Sequence, residues 1–552
     1  MSSRRGLFLT NIVSKFTEKM IKNRWKKTTE KGLTPYQCGG VRGICDNLLI
    51  VNSTIEEFRA KRENLYVLFA DLEKCFDQLW LKDCIKEIAE AGMPAAEAFY
   101  LYKMNEQVKA TVETPIGKTG TFHLKEIVKQ GTVSAVDLCG VSTDKINKVK
   151  QREPPLIVSG VEIKHPVYVD DTIALGSKEM IEALEPKMKF LEETKKYIYN
   201  NEKGKTEIMK LQLKKKSNTD DENPIVNVNK GKIEYTKEYK CLGDMYDTTG
   251  RNTSKIEKKM EKVGFISAEV KRRGSYKMVG CADGSVRMLM LEALVKPTLL
   301  ANTETWVNLT CAETEKINQG HYQVLRKVFE QKEGTPYYAI LCETGYWPYS
   351  YQIIYKRLMY FHQLIHSNEE RVARKMVINQ KNGMGTGRTW YDGVEKWLVE
   401  LEITKDIETI QKISKIRWKR DIKRKMERLL EQEMEEQLGK MTKLRFIEKF
   451  GKKDYVQNLP MAKVKDIMKM RLNMCELKSN FKRKYVDELC PACELEKETT
   501  EHVILCGEYK RMTRHNLQIN KPIKQLMNDS QWVIEASEVY GQIEELRKWF
   551  IT

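Results

Sequence analysis

Asp71 closes a continuous apolar run, LYVLFA (Leu65 to Ala70), and Asp170 and Asp171 sit between two further apolar runs, HPVYV and TIALG. An acid ending a buried strand beside an Asp pair at the turn of a hairpin is an arrangement that metal-assisted nucleotidyl transfer can use. That chemistry needs two ions about 3.5–4 Å apart, one activating the attacking hydroxyl and one steadying the leaving oxygens. Hard magnesium ions take carboxylate oxygens on a rigid support. If the two strands are neighbours the three acids converge at one sheet edge, where their mutual repulsion calls for cations. Asp-Asp is also ordinary turn chemistry, so the pair alone does not decide. A second constellation is Cys490, Cys493, His502 and Cys506, spaced C-x2-C-x8-H-x3-C in CPACELEKETTEHVILC. Four such ligands with no open position describe a closed, structural zinc site, and in a short segment the metal supplies much of the folding free energy.

The elements that must hold these residues follow from patterning. The buried-strand run Leu65 to Ala70 is followed by a helix over 92–107. Next comes a hairpin in VKATVETPIGKTGTFHL around Pro-Ile-Gly, then, after Gln130 and Gly131, helix to about Val149. HPVYV and TIALG read as a second tight hairpin. Ser177 is placed to cap a helix carrying Ile181, Leu184, Met188 and Leu191, with Pro186 marking a kink or a late start. This order suits an α+β fold, an antiparallel sheet with helices on one face. From about residue 250 the pattern is almost wholly helical. Gly383, Gly385 and Gly387 mark a linker, and KIRWKRDIKRKMERLL lies in a densely charged helical stretch over 405–450.

Composition limits the partners. The 552 residues suffice for roughly three or four domains, and a hydrophobic content of 41% supports a sizeable core. Lysine and arginine outnumber acids 96 to 77, a net charge of +19 that suits a phosphate backbone. Basic helices such as KIEKKMEKVGFISAEVKRR fit contacts along such a backbone. Thirteen mostly scattered cysteines argue for reduced thiols rather than a secreted disulfide framework. No apolar run approaches a membrane helix, and the N-terminus lacks the features of a secretory signal. The expectation is an intracellular protein of nucleus or cytoplasm, without a membrane segment.

Further motifs tie these features together. FADLEKCFDQLW (Phe69 to Trp80) resembles reverse transcriptase motif A, VKQGTVSAVDLCGVS motif B, YVDD motif C and NEKGKTEIM motif D. YKCLGDMYD (Tyr239 to Asp247) is similar to the Leu-Gly primer-grip segment. RRGLFLTNIVSKFTEKMIKNRW and YQCGGVRGICDNLLIV resemble fingers motifs of non-LTR (LINE-type) retrotransposon elements, in the family's order. RLNMCELKSN and the Cys/His segment resemble the C-terminal CCHC zinc knuckle region of those polyproteins.

The resemblance implies a right-hand polymerase and assigns roles. Asp71, Asp170 and Asp171 would hold two Mg2+ ions. Phe76 would be the aromatic gate against a ribose 2′-hydroxyl, with Gln130 and Gly131 beside the incoming nucleotide. Lys205 would protonate the leaving pyrophosphate, and Arg5 would contact the triphosphate. Cys490, Cys493, His502 and Cys506 would hold one structural Zn2+. The implied partners are an RNA template, a DNA primer or target DNA, and deoxynucleoside triphosphates. The implied division is partial fingers 1–60, palm 61–248, helical thumb or connection 249–380, charged helical linker 381–480, CCHC zinc knuckle 481–512 and C-terminal tail 513–552.

Two departures stand out. Motif B lacks the family's usual proline and carries Asp137, a charge where an apolar residue is usual. The last knuckle interval is x3 rather than x4. The chain opens at the fingers motif holding Arg5, and the stretch after Cys506 is too short for a restriction-like nuclease. A truncated RNA-directed DNA polymerase without an endonuclease is therefore expected. The alternatives are a catalytically weak relic that only binds nucleic acid and, against the knuckle and its helical linker, a group II intron maturase.

Overall fold

Strand β1 (Leu65–Ala70) is buried along its whole length, as a run of six apolar residues with no polar alternation requires. The structure, a computed structural model, describes residues 8–551 apart from 41, 125, 151–153, 214–222, 229–230, 274–282, 308, 442–443, 445 and 481–484. β1 lies at the centre of a five-stranded sheet with β2 (Val167–Tyr168), β3 (Asp171–Gly176), β4 (Glu207–Leu211) and β5 (Glu234–Tyr235), in the order β5-β4-β1-β3-β2. β1 pairs antiparallel with both β3 and β4, and β2 with β3; only the edge pair β4 and β5 is parallel.

Helices were expected on one face of this sheet, but both faces are covered. Tyr66, Leu68 and Ala70 enter one core with helix α1 (Ile12–Gly32), through Ile21 and Trp25, and with the helices on that side. Leu65, Val67 and Phe69 enter another with helix α2 (Ile44–Lys61), the strand pair β6 (Glu238–Cys241) and β7 (Asp244–Asp247), and Val372 and Met376. The physical reason lies in the strand itself: with a side-chain period of two, an unbroken apolar run must be apolar on both sides.

Other expected elements form with shifted ends. The helix expected over 92–107 spans Ala95–Glu106. The hairpin around Pro115 pairs Lys109–Ala110 with Phe122–His123 and Glu113–Thr114 with Gly117–Lys118. Pro186 falls in the first turn of a separate helix, Glu185–Lys195, where its missing N–H costs nothing. Ser177 precedes the helix Lys178–Glu182, but its hydroxyl donates to Glu179 (2.5 Å) instead of capping.

Beyond residue 250 a second body is built almost entirely of helices. One continuous core runs through α3 (Asn252–Arg273), α4 (Cys311–Val328), α5 (Tyr349–Ile365), α6 (Lys415–Gly439), α7 (Met461–Arg471) and α8 (Ser530–Ile551). The charged stretch belongs to it: Trp418, Ile422, Met426, Leu430 and Met434 of α6 are all buried. So does the last stretch of chain, where α8 packs on α7. Nor is the Gly383–Gly387 stretch a free linker. A Cβ at Gly387 would lie 2.6 Å from that of Ala60, and Gly160 lies against Met384 and Asn379.

α2 joins the two bodies. Leu48, Ile50, Val51 and Ile55 face the sheet, whereas Leu49 faces the helical core. Buried Asp46 accepts from Arg371 Nε (2.6 Å) and Nη2 (2.5 Å) and from Tyr360 OH (2.7 Å). Asn52 donates to Thr305 O (3.1 Å) and accepts from Tyr246 OH (3.0 Å) and Lys255 Nζ (2.7 Å). Asp46→Ala leaves the Arg371 guanidinium buried without its counter-charge. It should destabilise the protein by about 3–5 kcal/mol, read as a lowered urea midpoint of the full chain. An unchanged midpoint would show that α2 is not the tie between the bodies.

Candidate active site and metal centre

The β1–β3 register sets Ala70 opposite Thr172, so Asp71, the next residue, falls opposite Asp171 on the same side of the ladder. Both carboxylates act on Tyr239: burial pushes its hydroxyl up first, followed by Cys241, Asp171 and Asp71. The Tyr239 ring stacks on Phe69, with centroids 3.9 Å apart, and its OH donates to Lys205 O (2.6 Å). Asp170 acts on the opposite side. Its charge contributes to the raised Cys139 thiol, after the hydrogen bond shared with Cys75, burial and the charge of Cys75. The three aspartates thus share one end of two neighbouring strands. Their oxygens do not form a set within 4.8 Å of one another, as the Cys/His ligands below do.

Asp71 is held at both ends. Its N–H donates to Thr206 Oγ1 (3.2 Å) and its carbonyl accepts from Asn200 N (2.9 Å). Lys205 Nζ lies 3.4 Å from Asp71 Oδ2 and 3.5 Å from Oδ1. Phe76 lies half-buried against the core in the short helix Cys75–Gln78. Gln130 is half-buried and Gly131, at φ 105°, is exposed. Arg5 lies outside the described residues.

The Asp170-Asp171 turn depends on a residue that no motif role singled out. Val169 adopts φ 62°, costly for a β-branched side chain. Fully buried Gln37 holds it: Oε1 accepts from Val169 N (3.0 Å) and Gly39 N (2.9 Å). Nε2 donates to Val169 O (3.3 Å), Gly140 O (3.1 Å) and Thr143 Oγ1 (3.1 Å). Thr143 Oγ1 also donates to Val169 O. Gly39 permits the approach, since a Cβ there would lie 2.5 Å from Val169 N. Gln37 is visible in YQCGG, but apart from Gly39 its side-chain partners are more than 100 residues away.

The helix Ala135–Thr143 is steered by α1. Buried Glu18 accepts from Val133 N (2.8 Å) and Ser134 N (3.3 Å), the two residues that lead into this helix. Asp137 is neutralised by Lys22 Nζ at 2.6 Å, while burial pushes its carboxyl up against that pull. The unusual charge is thereby spent on α1.

The Cys/His ligands converge. Sγ of Cys490, Cys493 and Cys506 and a ring nitrogen of His502 lie within 4.8 Å of one another, the one such set among the described residues. Cys490 and Cys493 sit in a turn closed by Glu494 N donating to Cys490 O (2.8 Å). Thr499 caps the helix Thr500–Leu505 that carries His502. His502 Nε2 lies 3.3 Å from Cys493 Sγ, and Nδ1 lies 3.1 Å from Glu496 Oε2. That carboxylate fixes which ring nitrogen faces the sulfurs, a role the ligand spacing does not reveal. Burial pushes the Cys490 thiol up. At Cys493 burial is outweighed by the N–H groups of Leu495 and Glu496 together with hydrogen bonds to Cys490 and His502, and the thiol is lowered to about 7. The set could hold a zinc ion.

Gln37→Leu removes the clamp while filling its space. It leaves Val169 N and Gly39 N without their acceptor and should cost about 1–3 kcal/mol for each buried group left unpaired. It should also speed amide exchange in the peptide containing Val169, whereas exchange as slow as wild type would remove Gln37 from this role.

The reverse transcriptase (RNA-dependent DNA polymerase) family matches residues 1–244. A retrovirus-related Pol polyprotein from type-1 retrotransposable element R2 of Bradysia coprophila is 23% identical over 174 residues, 31% of this chain and 20% of that polyprotein. The match thus spans a fifth of the relative's length. Among solved structures, apo telomerase from Candida tropicalis is similar at 12% identity and a TM-score of 0.32, over 74% of this chain and 61% of that one. Telomerase from Candida albicans with a TWJ fragment of telomeric RNA follows at 11% and 0.27, over 63% and 54%. Residues 1–244 thus match the reverse transcriptase family, and part of the chain is similar to a retrotransposon polyprotein.

Proposed function

We propose that the chain is an RNA-directed DNA polymerase of a non-LTR retrotransposon, extending a DNA primer or nicked target on an RNA template with deoxynucleoside triphosphates. The observation that carries this reading is the register that sets Asp71 opposite Asp171, with Asp170 in the same clamped turn. The donor set suits magnesium: hard carboxylate oxygens on strand ends, with backbone positions fixed by the ladder. Two Mg2+ ions bound there would make the primer 3′-hydroxyl a better nucleophile and stabilise charge on the leaving pyrophosphate.

The chain's own residues do the rest. Asp71, Asp170 and Asp171 hold the ions, and Phe76 limits the space at the sugar. Gln130 and Gly131 border the nucleotide, with Arg5 toward its triphosphate. Lys205, beside Asp71, donates a proton to the departing pyrophosphate. In this reading residues 1–60 are fingers, 61–248 palm, and the helices beyond them thumb and connection. Cys490, Cys493, His502 and Cys506 hold one structural Zn2+, with Glu496 orienting His502.

The purified full chain should extend oligo(dT) on poly(rA) with Mg2+, and Asp170→Asn with Asp171→Asn should abolish extension while leaving RNA affinity in place. A wild-type chain that binds RNA but never extends would leave a binding-only relic. Metal analysis should find one zinc per chain, lost in Cys490→Ser with Cys493→Ser. Glu496→Gln should weaken zinc affinity about 10- to 100-fold; zinc content indifferent to the cysteines would sink the structural-zinc assignment.

A further inference from the structure

A cavity of about 430 Å3 opens in the helical body, away from the aspartates, between the start of α5, the segment Glu292–Leu300 and the basic half of α6. This volume is in the range of small-ligand sites. One wall is aromatic: Trp347 and Tyr355 meet edge to face, with centroids 6.0 Å apart and planes at 89°. Lys419 and Lys423, one turn apart on α6 and both exposed, also line the cavity, as does Lys296. Lys423 has Glu427 at 3.6 Å and Lys296 has Glu292 at 2.8 Å. Lys356, also in the wall, is tied inward to Glu304 (2.6 Å).

The aromatic wall is built rather than loose. Gly345 ends the preceding helix at φ 68° against Lys452. Tyr346 OH donates to Met288 O (3.2 Å), and Gln352 Nε2 donates to Trp347 O (3.0 Å). The Oε1 of Gln352, itself buried in this wall, has no partner. The backbone that carries Trp347 is thus fixed, and Tyr355 packs against its ring.

We propose that this cavity binds unpaired nucleotides of a single-stranded nucleic acid, a base packing on Trp347 and Tyr355 and the flanking phosphates on Lys419 and Lys423. Aromatic faces beside a cationic track are how strands are held without sequence preference. The chain's charge of +19 favours a polyanion. This site does not depend on the polymerase reading, because binding here needs neither divalent ion nor nucleoside triphosphate.

The test uses the full chain in EDTA with fluorescein-labelled hexamers of uridine and of thymidine. Fluorescence anisotropy should show Trp347→Ala weakening binding roughly 10-fold or more, with Trp347→Phe close to wild type. Lys419→Ala with Lys423→Ala, two exposed positions, should flatten the salt dependence by about 1.4 in log–log slope. Iodouridine hexamers should photocrosslink to Trp347 or Tyr355. Preference between the two hexamers tells RNA from DNA. Crosslinks confined to other segments overturn the proposal, as does an unchanged Trp347→Ala affinity. An equal loss for blunt duplex, or displacement by polyglutamate as effective as by the hexamer, also overturns it. Failure of primer extension leaves it untouched.

Discussion

Everything at the candidate active site depends on one antiparallel register. β1 and β3 pair so that Ala70 faces Thr172, and the acids follow at the next step of both strands. Because side chains alternate sides, a slip of one residue would turn Asp71 away from Asp171 and exchange the two sets of apolar residues that fill separate cores. The register is therefore specified by burial on both faces at once. Chemistry at the strand end inherits its precision from packing beneath it. The turn beyond is different, for Val169 sits where a valine is unfavourable. Gln37 and Thr143 supply the hydrogen bonds that hold it.

The same logic recurs between the bodies. Three buried ion pairs join distant stretches of chain: Asp46 with Arg371, Glu343 with Arg471 and Glu498 with Arg547. Burying two charges costs much of what their attraction returns, so such pairs are poor sources of net stability. Their effect lies in geometry, since an apolar surface can slide and a forked guanidinium on a carboxylate cannot. The first pair seats the helical body on α2. The last seats the Cys/His segment on α8, where Val503, Ile504 and Tyr509 enter the common core. Zinc in that segment would thus act on a surface continuous with the rest of the helical body.

Legibility in the sequence followed the range of the interactions. β1, the Asp-Asp hairpin and the Cys/His set could be read because their signals are local: apolar runs, a turn, a ligand spacing. That Asp71 and Asp171 face one another needed only the further step that the two strands are neighbours. Gln37, Glu18 and Glu496 carried no such signal. Gln37 and Glu18 bond to backbone more than 100 residues away, and a lone polar residue looks alike whether solvated or clamped. Glu496 is near in sequence, but its partner is a ring nitrogen whose direction the spacing leaves open. The glycine-rich stretch misled for the converse reason. Gly387 suits a flexible linker by composition, and its small size instead lets the loop rest on Ala60.

α6 shows where local stability and surface function part. Its buried residues recur every fourth position from Trp418 to Met434, a narrow stripe that leaves the remaining circumference to charge. That charge is segregated, lysine and arginine dominating the first half and glutamate the second. The helix dipole favours the reverse, acids near the N-terminus and cations near the C-terminus, by about 0.3–1 kcal/mol per group. Here the first turn holds no acid and the last turn no base. An arrangement that opposes the helix's own preference is not there to stabilise the helix. It concentrates positive charge at one end of a long element, and Lys419 and Lys423 at that end border the aromatic cavity. The basic end of α6 is thus accounted for by what it presents outward, a cationic flank beside surfaces on which bases can stack.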